Sequence, residues 1–176
     1  MGRTGWHIDG SFQEAPFSHS LYHIVQVPSA SATVFAPLTE IIENAPREKR
    51  DLWDRLWMMS DRRSGPIHPL VFSHPETGKP VLCFHRGMTQ GFIQDYNMTN
   101  QRKLSEQETK EILSGIHHEF VKNEGEIQYN HKYDPGDFIV SDNLAVGHEA
   151  SPDTQQSPEI IGLRVDNASS DHSRKT

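Results

Sequence analysis

The sequence predicts a mainly β fold, a double-stranded β-helix (jelly roll) with two flanking helices, and three observations carry that reading. Eight short runs are rich in β-forming residues and bounded by turn formers. Only two segments repeat apolar residues at helical spacing. His7 and Asp9 stand two residues apart, a spacing that puts both side chains on one side of a strand and would splay them on a helix. Many short strands with few helices suit a roll better than a layered α/β sheet.

The first strand is expected over residues 5–12, which include Gly5-Trp6-His7-Ile8-Asp9-Gly10, and the next two over residues 20–27 and 32–35. Pro46 then suits the first position of a helix expected to reach residue 60, because Leu52, Trp53, Leu56 and Trp57 recur at helical spacing. Strands are expected at 67–72 and 80–85. Ser105 with Glu108 forms a capping box for the second helix, whose Ile112, Ile116 and Phe120 fall one turn apart and which ends near Gly125. Residues 126–133, 137–141 and 159–165 complete the strands. Both helices are expected to pack on the outside of the roll, their aromatic residues serving the core. Residues 1–165 read as one domain, and 166–176, with almost nothing apolar, as a disordered tail.

Composition narrows the function. The length of 176 residues fits one domain, and 34% hydrophobic content with a mean hydropathy of -0.67 is lean for a chain that must bury a core. A net charge of -7 gives no electrostatic footprint for nucleic acid, so none is expected as a partner. Cys83 is the single cysteine, which excludes an intramolecular disulfide and suits a reducing compartment. No apolar run is long enough to span a bilayer, and no apolar signal core opens the chain. A cytoplasmic protein without membrane contact is therefore expected.

Chemistry concentrates on few residues. A His-x-Asp pair arises often by chance, but here it is followed by Thr33 in Ala32-Thr33-Val34-Phe35, by His148 after Ser141-Asp142-Asn143-Leu144-Ala145-Val146-Gly147, and by Arg164 in Ile160-Ile161-Gly162-Leu163-Arg164-Val165. Two neutral imidazoles and one carboxylate fill half an octahedron and leave three adjacent positions open, the arrangement of non-haem Fe(II) oxygenases. In order and spacing these residues resemble the taurine dioxygenase-like (TauD/TfdA) family of Fe(II)- and 2-oxoglutarate-dependent dioxygenases. His68-Pro69-Leu70-Val71 with His74-Pro75-Glu76-Thr77-Gly78-Lys79, and Pro135-Gly136-Asp137 running on to Asn143, extend the resemblance over nearly the whole chain from Trp6 to Val165. Two departures stand out. The segment that such proteins carry ahead of His-x-Asp is missing, which reads as an N-terminal truncation, and the interval from His148 to Arg164 is longer by a turn-rich stretch at 151–158.

The resemblance implies that His7, Asp9 and His148 hold Fe(II), that 2-oxoglutarate chelates the metal, and that O2 takes the remaining position. It further implies that Arg164 pairs with the far carboxylate of 2-oxoglutarate through two charge-assisted hydrogen bonds, with Thr33 adding a hydroxyl. Succinate and CO2 would be released while a C–H bond of a small organic substrate is oxidised. Ala168 stands where taurine-hydroxylating relatives place a second arginine, which disfavours taurine. Asp142 and Asn143 suit either an orienting role at the metal or a turn. His85 is a candidate for substrate contact. Two other readings are a truncated, catalytically silent relative serving as a binding or regulatory module, and a cupin-like metal-dependent isomerase or hydrolase; Arg164 and Thr33 argue against the latter, which needs no carboxylate clamp.

Overall fold

The computed structural model describes residues 5–26, 32–61 and 65–151. In chain order the elements are β1 (His19–His23), β2 (Ala32–Pro37), α1 (Leu38–Glu43), α2 (Arg47–Trp53), β3 (Leu56–Ser60), β4 (Ile67–Pro69), β5 (Val71–Ser73), β6 (Pro80–Leu82), β7 (Thr89–Gln94), β8 (Arg102–Lys103), α3 (Glu106–Gly125), β9 (Tyr129–Lys132), β10 (Phe138–Asp142) and β11 (Val146–Ala150). All strand pairing is antiparallel. Two sheets frame the region of interest, β11–β2–β9 and β1–β10, while β4–β3–β7–β8 and β5–β6 belong to the long excursion between β2 and β9. Among the described residues the outcome is mostly strands with three helices. The described strands form four separate sheets and by themselves draw no closed roll.

Several elements differ from expectation for identifiable reasons. The helix expected over 46–60 stops at Trp53, and residues 56–60 become a strand in the middle of a sheet, paired on both edges, with alternate residues Leu56, Met58 and Ser60 buried. Apolar residues at one- and four-residue intervals fit either period over so short a run, and the offered partners decide. The strand expected over 5–12 is reduced to bridges at His7, because Gly10 turns the chain with φ +72°. A Cβ there would lie 2.8 Å from the Phe17 ring. The run 67–72 splits at Leu70, whose amide bonds to Leu56 and whose carbonyl accepts from Cys83, so that it passes between two sheets. The helix α1, the strands β7 and β8, and β11 were not expected. The residues 159–165 and 166–176 lie outside the described residues.

The second helix begins as the sequence predicts. Ser105 Oγ accepts from the Glu108 amide at 3.2 Å and Glu108 Oε2 accepts from the Ser105 amide at 2.8 Å. Ile112, Ile116 and Phe120 are buried, and Phe120 stacks on Trp6 with ring centroids 4.4 Å apart. Around them Ile8, Val34, Ala36, Leu38, Phe84 and Leu144 close an apolar core against one side of the β11–β2–β9 sheet. The other side of that sheet carries the site.

Candidate metal centre

Alternation along two segments separates core from site. Trp6 and Ile8 are both 0% exposed and face the core; His7 and Asp9 face the opposite way. The amide of His7 donates to the His148 carbonyl at 3.0 Å, and the amide of His148 donates back to His7 at 2.9 Å. That reciprocal pair sets the two imidazoles side by side, with ring centroids 4.3 Å apart. On the other edge of β11, His148 lies opposite Phe35 of β2, and the two rings are 6.0 Å apart.

His7, Asp9 and His148 each offer a donor atom within 4.8 Å of the others. His7 Nε2 lies 3.9 Å from Asp9 Oδ1, and His148 Nε2 lies 3.6 Å from Asp9 Oδ2. Neighbouring ligands on an octahedral ion with bonds of about 2.1 Å stand about 3 Å apart, so small side-chain shifts would seat one. The donor set suits the metal in its protonation state as well. Burial, with His148 and His85 alongside, pushes His7 down to about 3 and keeps its ring neutral. Its Nδ1 lies 2.7 Å from the carbonyl of Gly5, which places the proton there and the lone pair on Nε2.

Asp9 is held from two directions, at its carboxylate and at its peptide. Ser20 Oγ and Tyr22 Oη, two residues apart on β1 and on one side of it, donate to Asp9 Oδ2 at 2.9 and 2.8 Å. Asn143, fully buried, grips the Asp9 peptide: its Oδ1 accepts from the Asp9 amide at 2.7 Å, and its Nδ2 donates to the carbonyls of Asp9 at 2.9 Å and Phe17 at 2.7 Å. Asp142 has the other role. Its Oδ1 accepts from the amides of Leu144 and Ala145, both at 3.1 Å, and its Oδ2 accepts from His74 Nε2 at 3.1 Å. Asp142 thus shapes the turn into β11, and Asn143 ties that turn to the early pair.

Thr33 lies opposite Ala150 of β11, two residues beyond His148 and on the same sheet face. Arg164 lies outside the described residues. His85 is brought to the site: it is buried, bridges His7 and stacks on its ring at 4.4 Å. Ser20 and Tyr22 escaped the sequence reading, because two hydroxyls on alternate residues of a strand announce no target. Along the same face runs an open groove of about 380 Å³, lined by Phe35, Pro37, Tyr129, His131, Ile139 and Val146.

Comparison with known proteins finds relatives over most of the chain. The family model described as "Taurine catabolism dioxygenase TauD, TfdA family" matches residues 1–164. An alpha-ketoglutarate-dependent sulfonate dioxygenase of Saccharomyces cerevisiae is 25% identical over 92% of this chain and 41% of its own length. An alpha-ketoglutarate-dependent sulfate ester dioxygenase of Pseudomonas putida is 24% identical over 90% of this chain and 58% of its own. The chain thus spans about half the length of these curated relatives. The crystal structure of a taurine dioxygenase from Burkholderia xenovorans superposes with a TM-score of 0.70 at 23% identity, covering 90% of this chain and 56% of that one. This likeness implies a double-stranded β-helix fold.

Proposed function

This chain belongs to the taurine catabolism dioxygenase TauD, TfdA family, and from that premise we propose that it is an Fe(II)- and 2-oxoglutarate-dependent dioxygenase acting on a C–H bond of a small organic substrate. The observation that carries the proposal is that His148, distant in sequence, meets the early pair His7 and Asp9 with all three donor atoms within 4.8 Å of one another. These three would hold the iron. When bound, iron and 2-oxoglutarate would supply an oxidative decarboxylation that releases succinate and CO2. The chain's own residues do the rest: neutral His7 presents Nε2, the β1 hydroxyls hold the Asp9 carboxylate while Asn143 holds its peptide, and Phe35 walls the site with an apolar ring. Placement is the protein's share, since a strong oxidant attacks whichever bond is held nearest.

Thr33 and Arg164 are assigned to the far carboxylate of 2-oxoglutarate. Thr33 supports this by sharing the His148 face of β2, and Arg164 by its place in the family pattern. The substrate is placed in the groove beside Phe35, and residues 1–165 are read as the catalytic domain. Anaerobic addition of Fe(II) and 2-oxoglutarate to the purified protein should produce the weak visible charge-transfer band of the chelate. His148→Ala should abolish it. Arg164→Ala should weaken 2-oxoglutarate binding while iron stays bound. Wild-type protein that binds no metal would overturn the proposal, and metal binding without the band would favour the isomerase or hydrolase reading.

A further inference from the structure

Two of the three candidate ligands depend on a single turn. Residues 142–145 include Asn143, which grips the Asp9 peptide, and they lead directly into β11, where His148 stands. Asp142 closes this turn. Its Oδ1 accepts from the amides of Leu144 and Ala145, both at 3.1 Å, and its carbonyl accepts from Ala145 at 3.2 Å. The Asp142 side chain is 39% exposed, so water competes for its carboxylate and packing alone does not fix it.

The hold comes from His74, 68 residues earlier in the chain, where β5 turns toward β6. This imidazole is 3% exposed and is used at both ends. Its Nδ1 accepts from the amides of Glu76 and Thr77 at 3.2 and 3.3 Å, which leaves the ring proton on Nε2. Nε2 lies 3.1 Å from Oδ2 of Asp142 and 3.3 Å from Oδ1. The β5–β6 hairpin is thereby tied to the turn that serves the metal centre.

We propose that His74 is a positioning residue of the metal centre, orienting the Asp142 carboxylate and, through it, the turn that sets Asn143 and His148. This rests on the reading of His7, Asp9 and His148 as metal ligands. The competing role is local: His74 would serve only its own hairpin, through Nδ1. The two ends of the ring allow the roles to be separated. An asparagine oxygen stands near the place of Nδ1 and accepts from the hairpin amides without reaching Asp142. A glutamine amide nitrogen stands near the place of Nε2 and donates to Asp142 while abandoning the hairpin amides.

The test measures Fe(II) affinity by anaerobic calorimetry in wild type, His74→Asn, His74→Gln and Asp142→Asn, with amide hydrogen exchange at Leu144 and Ala145 in the metal-free proteins. His74→Asn should raise the Fe(II) Kd about tenfold and speed exchange at both amides, whereas His74→Gln should hold both near wild type. Asp142→Asn keeps an oxygen for the turn but removes the carboxylate that His74 meets. It should match His74→Asn, and the two combined should lose no more than either alone. Should either His74 variant fail to fold, Asp142→Asn decides alone, an unchanged Kd overturning the inference. Glutamine losing as much affinity as asparagine, or asparagine losing none, would overturn the inference and leave the metal centre standing. Wild-type protein that binds no iron would overturn both.

Discussion

The two sides of the β11–β2–β9 sheet are built from the same short stretches of chain, yet one is dry and the other polar. On the core side Ala36 and Val34 of β2 lie opposite Gly147 and Glu149 of β11, with Trp6 and Ile8 alongside and Phe120 of α3 packed behind. On the site side Thr33 and Phe35 lie opposite Ala150 and His148, with His7 and Asp9 alongside. The core side carries stability through close packing. The site side consists of groups that cost free energy to bury unless each finds a partner. What the contrast teaches is that the apolar side positions the polar one: a segment anchored by Trp6 and Ile8 has no freedom over where His7 and Asp9 point.

That division can be attacked from either side. The largest loss of stability is expected from Phe120→Ala, which empties a fully buried ring stacked on Trp6 and should cost about 3–5 kcal/mol in urea denaturation. If the two sides are separable in function, metal affinity below the unfolding transition should stay near wild type. Asn143→Ala strikes the seam between them. Loss of its three hydrogen bonds to buried backbone should cost about 1–3 kcal/mol, and metal affinity should fall about 10- to 100-fold as the Asp9 peptide loosens. A stability loss with unchanged metal affinity would show that Asn143 serves the turn alone. The smallest effect is expected from Ser105→Ala, which removes the cap of α3 for about 1 kcal/mol. Metal binding measured by calorimetry should not respond; a response would mean that α3 is coupled to the site through Trp6.

Much of the site was legible in the sequence because its signals are local or ordered along the chain. His7 and Asp9 show their common face through a two-residue spacing, and His148 follows at the distance the family pattern requires. The strand that carries His148 was not legible. Gly147 and Glu149 occupy its core-facing positions, so the apolar alternation that would mark a strand is absent. Gly147 is there because a Cβ would come within 2.9 Å of the Leu38 side chain and 3.3 Å of Phe120, a requirement set by two helices distant in sequence. The two readings of Asp142 and Asn143 were likewise indistinguishable in the sequence, since both side chains serve turns and ligands alike. Coordinates separate them: Asp142 takes the turn and Asn143 takes Asp9.

By itself the sequence determined the family, the mainly β character, the capped helix α3 and the identity of the candidate ligands, because each of these is written in residue type, period or order. Only the tertiary structure decided that residues 56–60 pair as a strand, that His85 stacks on His7, and that Ser20 and Tyr22 donate to Asp9. Those outcomes depend on which side chains from separate segments meet. A hydroxyl or an imidazole carries no mark of its partner until the sheets have brought the two together.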